Sequence, residues 1–294
     1  MALVLGQVFH GPFYAPTYVA RGLSFFEDEG LDVETRIAKQ SSAIIDSMLS
    51  AEADIVVTGP ARLYENTDQG LPRQVACIGQ VTATSFFFLI SRHVGVPFDL
   101  AHLEGKGLLL FPGTPTPWLC LQHMMRERGC RPDRVRRIKL PSPQLAIGAY
   151  ARGEADYIEL SEPYVDVLLE QCGPQRVVAL GPMLGRCPFS VFVASRKAIE
   201  TDPLPYARFL RAIGRAQGHL RTNSAEDVSA AITKYFQEFQ RKTITAAIHR
   251  YQEIDLWGDA PSISSSEFGR LYAVLTGRLA PGNLFQQWVV ADLC

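Results

Sequence analysis

Three short stretches of this chain gather the residue types that hold a small molecule, and each stands where an apolar run gives way to a turn. His-Gly-Pro-Phe-Tyr at 10–14 offers an imidazole and two aromatic rings in His10, Phe13 and Tyr14. Pro-Gly-Thr-Pro-Thr-Pro-Trp at 112–118 sets the hydroxyls of Thr114 and Thr116 and the indole of Trp118 among prolines. Leu-Ser-Glu-Pro-Tyr at 160–164 adds the carboxylate of Glu162 and the phenol of Tyr164. The chemistry these types support is recognition. Rings supply flat apolar surface, hydroxyls supply hydrogen bonds, and a carboxylate facing an amino group makes a charge-assisted one. Pro112, Pro115 and Pro117 have a fixed φ and no N–H, so they stiffen the loop into a shelf. The helix that follows the shelf is expected to offer free N–H groups and a favourable dipole to an anion or polar acceptor.

Further candidates stand at equivalent edges: Thr58 and Gly59 at the strand end Thr-Gly-Pro, Ser41 and Ser42 at a helix start, and Phe86 in a run of phenylalanines. Each candidate also has a plainer account. Ser41, Ser42 and Thr116 suit helix caps, Trp118 and Phe86 suit a core, and a lone histidine such as His10 is often a hydrogen-bonded structural residue. Glu162 suits a helix start, where the dipole favours a negative charge.

Signatures of catalysis are missing from the sequence. There is no Gly-x-Ser-x-Gly elbow, no His-Glu-x-x-His, no phosphate-cradling Gly-x-x-x-x-Gly-Lys and no Gly-x-Gly-x-x-Gly. Cys77, Cys120, Cys130, Cys172, Cys187 and Cys294 are widely spaced and form no Cys-x-x-Cys pair or zinc-like group. No motif calls for a metal or an organic cofactor.

The candidates need strands to aim them and helices to start from them, and the chain reads that way. Short apolar runs (LVLGQV, LDVETRI, DIVVTG, RQVACIGQV) alternate with helix-like segments in the first third, and GLLLFPG, VRRIKL, ADYIEL and RVVAL do so in the middle. Such alternation predicts mostly parallel sheets flanked by helices, with ligands at the carboxyl ends of the strands. The segments SAEADIVVTGPARLYENT at 50–67 and ARGEADYIELSEPYVDVL at 151–168 follow one pattern and read as equivalent places in two lobes. SFFFLISR at 85–92 and PFSVFVASR at 188–196 read as the two runs that cross between lobes, and the last hundred residues read as helices. The expected division is 1–87 with 190–294 as a discontinuous first lobe and 88–189 as the second.

The opening segment, HGPFYAPTYVARGLSFFEDEGLDVE, resembles the substrate-binding proteins of nitrate, sulfonate, taurine and thiamine-pyrimidine ABC transporters. AEADIVVTGP, GLPRQVACIG, PGTPTPWLCLQ and GEADYIELSEPYVDVLL continue the resemblance in order over nearly the whole chain. It implies a type II periplasmic-binding-protein fold, two α/β lobes with two crossover strands at the hinge, closing on a small ligand. The implied function is capture of a small polar, (hetero)aromatic solute, such as a thiamine-pyrimidine-like compound, for delivery to an ABC permease. The same superfamily resembles enzymes of cofactor biosynthesis, among them thiamine pyrimidine synthase, and this is the alternative. The clustered cysteines of that synthase are missing here.

Composition agrees with a globular chain and narrows its partners. Of 294 residues 47% are hydrophobic and 20% charged, enough for a sizeable core. A net charge of -1 argues against a dominant nucleic-acid surface. The one basic cluster, RERGCRPDRVRRIK at 126–139, lacks interleaved aromatics and reads as a solvated helix end and loop. No apolar stretch approaches the roughly 18–20 residues that span a bilayer, so direct membrane insertion is not expected. The start, MALVLGQVF, does not read as a signal peptide. The expected location is therefore periplasmic or otherwise extracytoplasmic if a leader has been removed, and cytoplasmic if not.

Overall fold

The computed structural model describes every residue except 39–42, 65–69, 96, 292 and 294. Ten strands occur among the described residues: β1 (Ala2–Gln7), β2 (Asp32–Ile37), β3 (Ile55–Thr58), β4 (Val75–Thr82), β5 (Phe87–Ser91), β6 (Gly107–Leu110), β7 (Arg136–Lys139), β8 (Tyr157–Ser161), β9 (Arg176–Ala179) and β10 (Ser190–Ser195). They form two sheets of five, ordered β2-β1-β3-β10-β4 and β7-β6-β8-β5-β9. The chain divides correspondingly into two compact units, Met1–Thr84 with Arg186–Cys294, and Ser85–Gly185.

Both sheets share one plan. In the first, β1 pairs in parallel with β2 and β3, while β10 runs antiparallel between β3 and β4. In the second, β6 pairs in parallel with β7 and β8, while β5 runs antiparallel between β8 and β9. The reversed strand in each sheet is the first one after the chain passes from one unit to the other. β3 and β8 thus hold the same place in their sheets, and each ends at a turn containing proline, Gly59-Pro60 or Glu162-Pro163.

Strand burial follows from coverage on both faces. Every residue of β3, β4, β5, β6 and β8 is buried, as continuous apolar runs under helices on both sides require. β2 and β7 close one edge of each sheet. β7 consists of Arg136, Arg137, Ile138 and Lys139, an edge whose charges discourage further strand pairing.

In the first unit the helix Leu204–Thr222 buries Tyr206, Phe209, Leu210, Ile213, Gln217 and Leu220 at helical spacing. Phe209 stacks on Phe26 at 5.3 Å and meets Phe192 of β10 edge-on at 5.0 Å. Gly79 of β4 lets this helix come close, since a Cβ there would lie 2.7 Å from Leu210. A second core gathers Tyr64, Phe268, Leu284 and Trp288 over β3, β4 and β10.

Local structure departs from the sequence reading in two places. The segment 13–30, whose Tyr18, Val19, Leu23 and Phe26 stand at the spacing of one continuous helix, is a single turn at Pro12–Tyr14, then helices Ala15–Gly22 and Phe25–Asp28. The break comes at Ser24, whose φ of 60 lies in the left-handed region that ends a helix. The short helices Leu180–Leu184 and Leu284–Trp288 were not foreshadowed, having too few turns to show a period.

Candidate functional site

The carboxyl edge of the second sheet holds a cavity of about 560 Å³, within the usual range for a small-molecule site. It is lined by the loop Leu110–Pro115, by Trp118, by Arg137, Lys139, Leu140 and Pro141 at the end of β7, and by Glu159 of β8. The sequence pattern explains the geometry. β6 stops at Leu110, Gly113 takes a φ of +84 that other residues avoid, and the helix Thr116–Glu127 then starts beside two prolines.

Thr114 organises this entrance. Its hydroxyl accepts the N–H of Thr116 at 3.3 Å and lies 3.3 Å from the Thr116 hydroxyl, to which it donates. With Pro117 lacking an N–H and that of Thr116 engaged, the first turn has fewer donors for an anion than an ordinary helix start. Trp118 is 7% exposed and its ring carries the Arg137 guanidinium at 5.2 Å, a cation–π contact. Its buried indole N–H has no acceptor among the described residues.

Glu159 is the most deeply buried residue of the lining, at 1% exposed. Its Oε2 accepts from the N–H of Phe111 at 3.4 Å, and its Oε1 has no hydrogen-bond partner among the described residues. Burial pushes the carboxyl up to about 8, the Phe111 N–H pulling weakly the other way. At the rim Arg137 and Lys139 are exposed. The cavity is thus walled by a buried carboxyl side chain, an indole and two exposed cations. Such a set can hydrogen-bond and stack on a flat polar molecule while attracting an acceptor group at the mouth.

The structure brings Thr114 and Trp118 together on this cavity. Thr116 is buried behind them at the helix start. Glu162 is fully buried just past the end of β8, outside the lining set. Tyr164 is half-buried and its hydroxyl accepts from Gln144 Nε2 at 3.3 Å. Phe86 is buried with its ring 4.5 Å from Phe87, which in turn meets Phe111 of the cavity wall at 4.9 Å.

In the first unit the candidates are engaged with protein groups. His10 donates from Nε2 to the carbonyl of Tyr235 at 2.8 Å, and its Nδ1 lies 2.9 Å from the Tyr18 hydroxyl. Tyr18 donates to Gln7, whose amide donates to Thr17. Phe13 is buried and its carbonyl accepts the indole N–H of Trp257 at 2.8 Å. Tyr14 is also buried, and burial pushes its phenol up to about 12 against a hydrogen bond with Ser190. Thr58 is buried at the end of β3 and Gly59 is partly exposed beside it. Ser41 and Ser42 lie outside the described residues.

Glu159, Arg137 and Lys139 escaped the sequence reading. Glu159 carried a signal, an acid inside an otherwise apolar strand, Tyr-Ile-Glu-Leu. The basic cluster 126–139 reads in the sequence as solvated surface. Its Arg137 and Lys139 are indeed exposed, yet they form one side of the cavity.

A family model described as NMT1/THI5 like matches residues 12–226, most of the chain. The chain belongs to the NMT1/THI5-like family. Among relatives of this NMT1/THI5-like protein, YtlA of Bacillus subtilis, provisionally named a binding protein, is 28% identical over 276 residues, covering 92% of this chain and 81% of its own. Among solved structures, the periplasmic aliphatic sulphonate binding protein SsuA of Escherichia coli superposes with a TM-score of 0.74 at 17% identity, covering 98% of this chain and 97% of its own. The periplasmic nitrate-binding protein NrtA of Synechocystis superposes with a TM-score of 0.63 at 16% identity, covering 83% and 69%. The NMT1/THI5-like protein therefore has the periplasmic-binding-protein fold, two five-stranded α/β sheets flanked by helices. None of its described helices is long and apolar enough to cross a membrane.

Proposed function

We propose that this protein is the solute-binding component of an ABC-type importer and captures a small polar, (hetero)aromatic molecule, of which a thiamine-pyrimidine-like compound is the type. The cavity at the carboxyl edge of the second sheet carries the reading: a stiff proline-rich shelf, an indole with an unused N–H, and a buried carboxyl. Ligands of α/β sheets sit at this edge. The binding roles in the names of SsuA, NrtA and YtlA support the general function. In this reading the partner is a permease and the working compartment is extracytoplasmic.

The ring surface of Trp118 and Phe111 in the wall favours a flat heterocycle over nitrate or a short alkyl sulfonate. The enzyme alternative gains no support from Cys77 or Cys187. Burial pushes Cys187 up to about 12 and Cys77 further still, so neither is a ready thiolate nucleophile.

The test is a thermal-shift screen of the purified protein against aminopyrimidines, sulfonates, nitrate and aromatic carboxylates, with calorimetry on each hit. A ligand that binds only the folded state raises Tm by mass action. The expected result is an aminopyrimidine recovered chemically unchanged. A hit that returns altered would replace the binder with an enzyme.

A further inference from the structure

We infer that the outer face of the helix Arg241–Glu253, in the first unit, is a docking surface for an acidic helical segment of a partner protein. The inference stands apart from the cavity and the solute described above.

This helix has two unlike faces. Thr243, Ile244, Ala247, Ile248 and Tyr251 are buried at helical spacing. The other face repeats at four-residue intervals: a basic pair, Arg241 and Lys242, then a small pair, Thr245 and Ala246, then His249 with Arg250. Long side chains at both ends of two small ones leave a hollow between them. With Glu226 of the helix Ala225–Ile232 these six residues line a depression of about 620 Å³.

The ends of the depression are cationic and its middle is not. Lys242 and Arg250 stand eight residues apart, which is about 12 Å along the helix axis. Arg241 donates from Nη2 to the backbone carbonyl of Glu226 at 3.1 Å, a bond that holds the guanidinium at the rim. The acids at hand are Glu226 in the lining and Glu253, whose Oε1 lies 3.8 Å from His249 Nδ1. The Thr245 hydroxyl is spent inside the protein, donating to the Arg241 carbonyl at 3.0 Å and lying 2.7 Å from the Ser229 hydroxyl. Between the basic ends the floor is therefore small and apolar, at Ala246.

That division selects the occupant. A bare phosphate is held by donors that converge on one point, whereas these cations stand two turns apart with no hydroxyl to spare between them. A bilayer surface is gripped by basic residues together with large apolar ones, and none of the exposed large apolar residues lies on this helix. An acidic helix meets both features. Carboxylates two turns apart pair with the two basic ends, and an apolar side chain between them enters the hollow.

Calorimetry on the whole protein tests this with two capped helical peptides of about 18 residues. One carries glutamates two turns apart on either side of a leucine, and the other has glutamine for both glutamates. The glutamate peptide should bind, and the glutamine peptide should bind at least about fivefold more weakly. Affinity should fall severalfold from about 50 to 300 mM salt. Arg241→Glu combined with Arg250→Glu should cost the glutamate peptide at least about tenfold, because repulsion replaces attraction. Ala246→Phe keeps every charge and fills the hollow, so it should also lose about tenfold. Circular dichroism and Tm establish that each variant is folded.

Undiminished binding of the glutamate peptide by the charge-reversed protein overturns the inference. So does binding that Ala246→Phe leaves unchanged, since charge alone then accounts for it. Sodium phosphate or phosphatidylglycerol vesicles that bind in place of the peptide, and are released by the charge reversal, overturn it in favour of an anion site or a lipid surface. Absence of peptide binding overturns it as well. None of these outcomes bears on the solute-binding reading, which its own ligands test.

Discussion

Glu159→Gln should make the unliganded protein more stable, and by an amount that depends on pH. In the fold the carboxyl titrates at about 8 against 4.5 for the free side chain. Its folded value is raised, so the native state holds the proton more tightly than the unfolded chain does. The wild-type protein is therefore at full strength below about pH 4.5 and loses stability as pH climbs to 8. At 1.36 kcal/mol per pH unit the loss is about 3 kcal/mol at pH 7 and approaches about 5 kcal/mol above pH 8. Glutamine keeps the shape and does not ionise. The variant should thus match the wild type near pH 4.5 and exceed its Tm by about 6 °C or more at pH 7, taking about 2–4 °C per kcal/mol for a chain of this size class. Differential scanning calorimetry of both proteins between pH 4.5 and 9 reads this directly. A Tm difference that stays flat across that range would refute the buried, proton-holding carboxyl.

Three further outcomes are expected. Trp118→Ala removes the cavity wall and its indole N–H, so affinity for the aminopyrimidine should fall in calorimetry, while the lost packing should cost about 3–5 kcal/mol in denaturant unfolding. His10→Ala removes the links to Tyr18 and to the Tyr235 carbonyl and should lower stability by about 1–2 kcal/mol, measured by urea unfolding. Gly79→Ala would push a methyl to 2.7 Å from Leu210 and 3.0 Å from the Pro261 carbonyl and should cost about 1–3 kcal/mol, with backbone shifts visible in a crystal structure.

The local elements and the class of fold were legible along the chain because they depend on near neighbours. Apolar runs of strand length, the proline-bearing turns and the caps read as strands and helix starts. Ser142, for example, accepts the N–H of Leu145 at 3.3 Å as the helix Pro143–Ala151 begins. The repeated pattern around 50–67 and 151–168 pointed to equivalent strands, and β3 and β8 do hold the same place in two matching sheets. The shelf at 112–118 was also visible, since prolines and threonines set their local geometry with little help from elsewhere.

Glu159 shows where that legibility stops. In the sequence it is one acid near another, and Glu162 beside a proline looked the better candidate. Its environment is set by residues far along the chain. β5 pairs on one side of β8 and β6 on the other, Phe111 supplies the N–H, and β7 brings Arg137 and Lys139 to the opposite wall. Period and propensity say which way a side chain alternates along its own strand. Whether that side faces water or a dry cavity depends on what packs over it, and desolvation, which decides the proton on Glu159, is a property of the assembled surroundings.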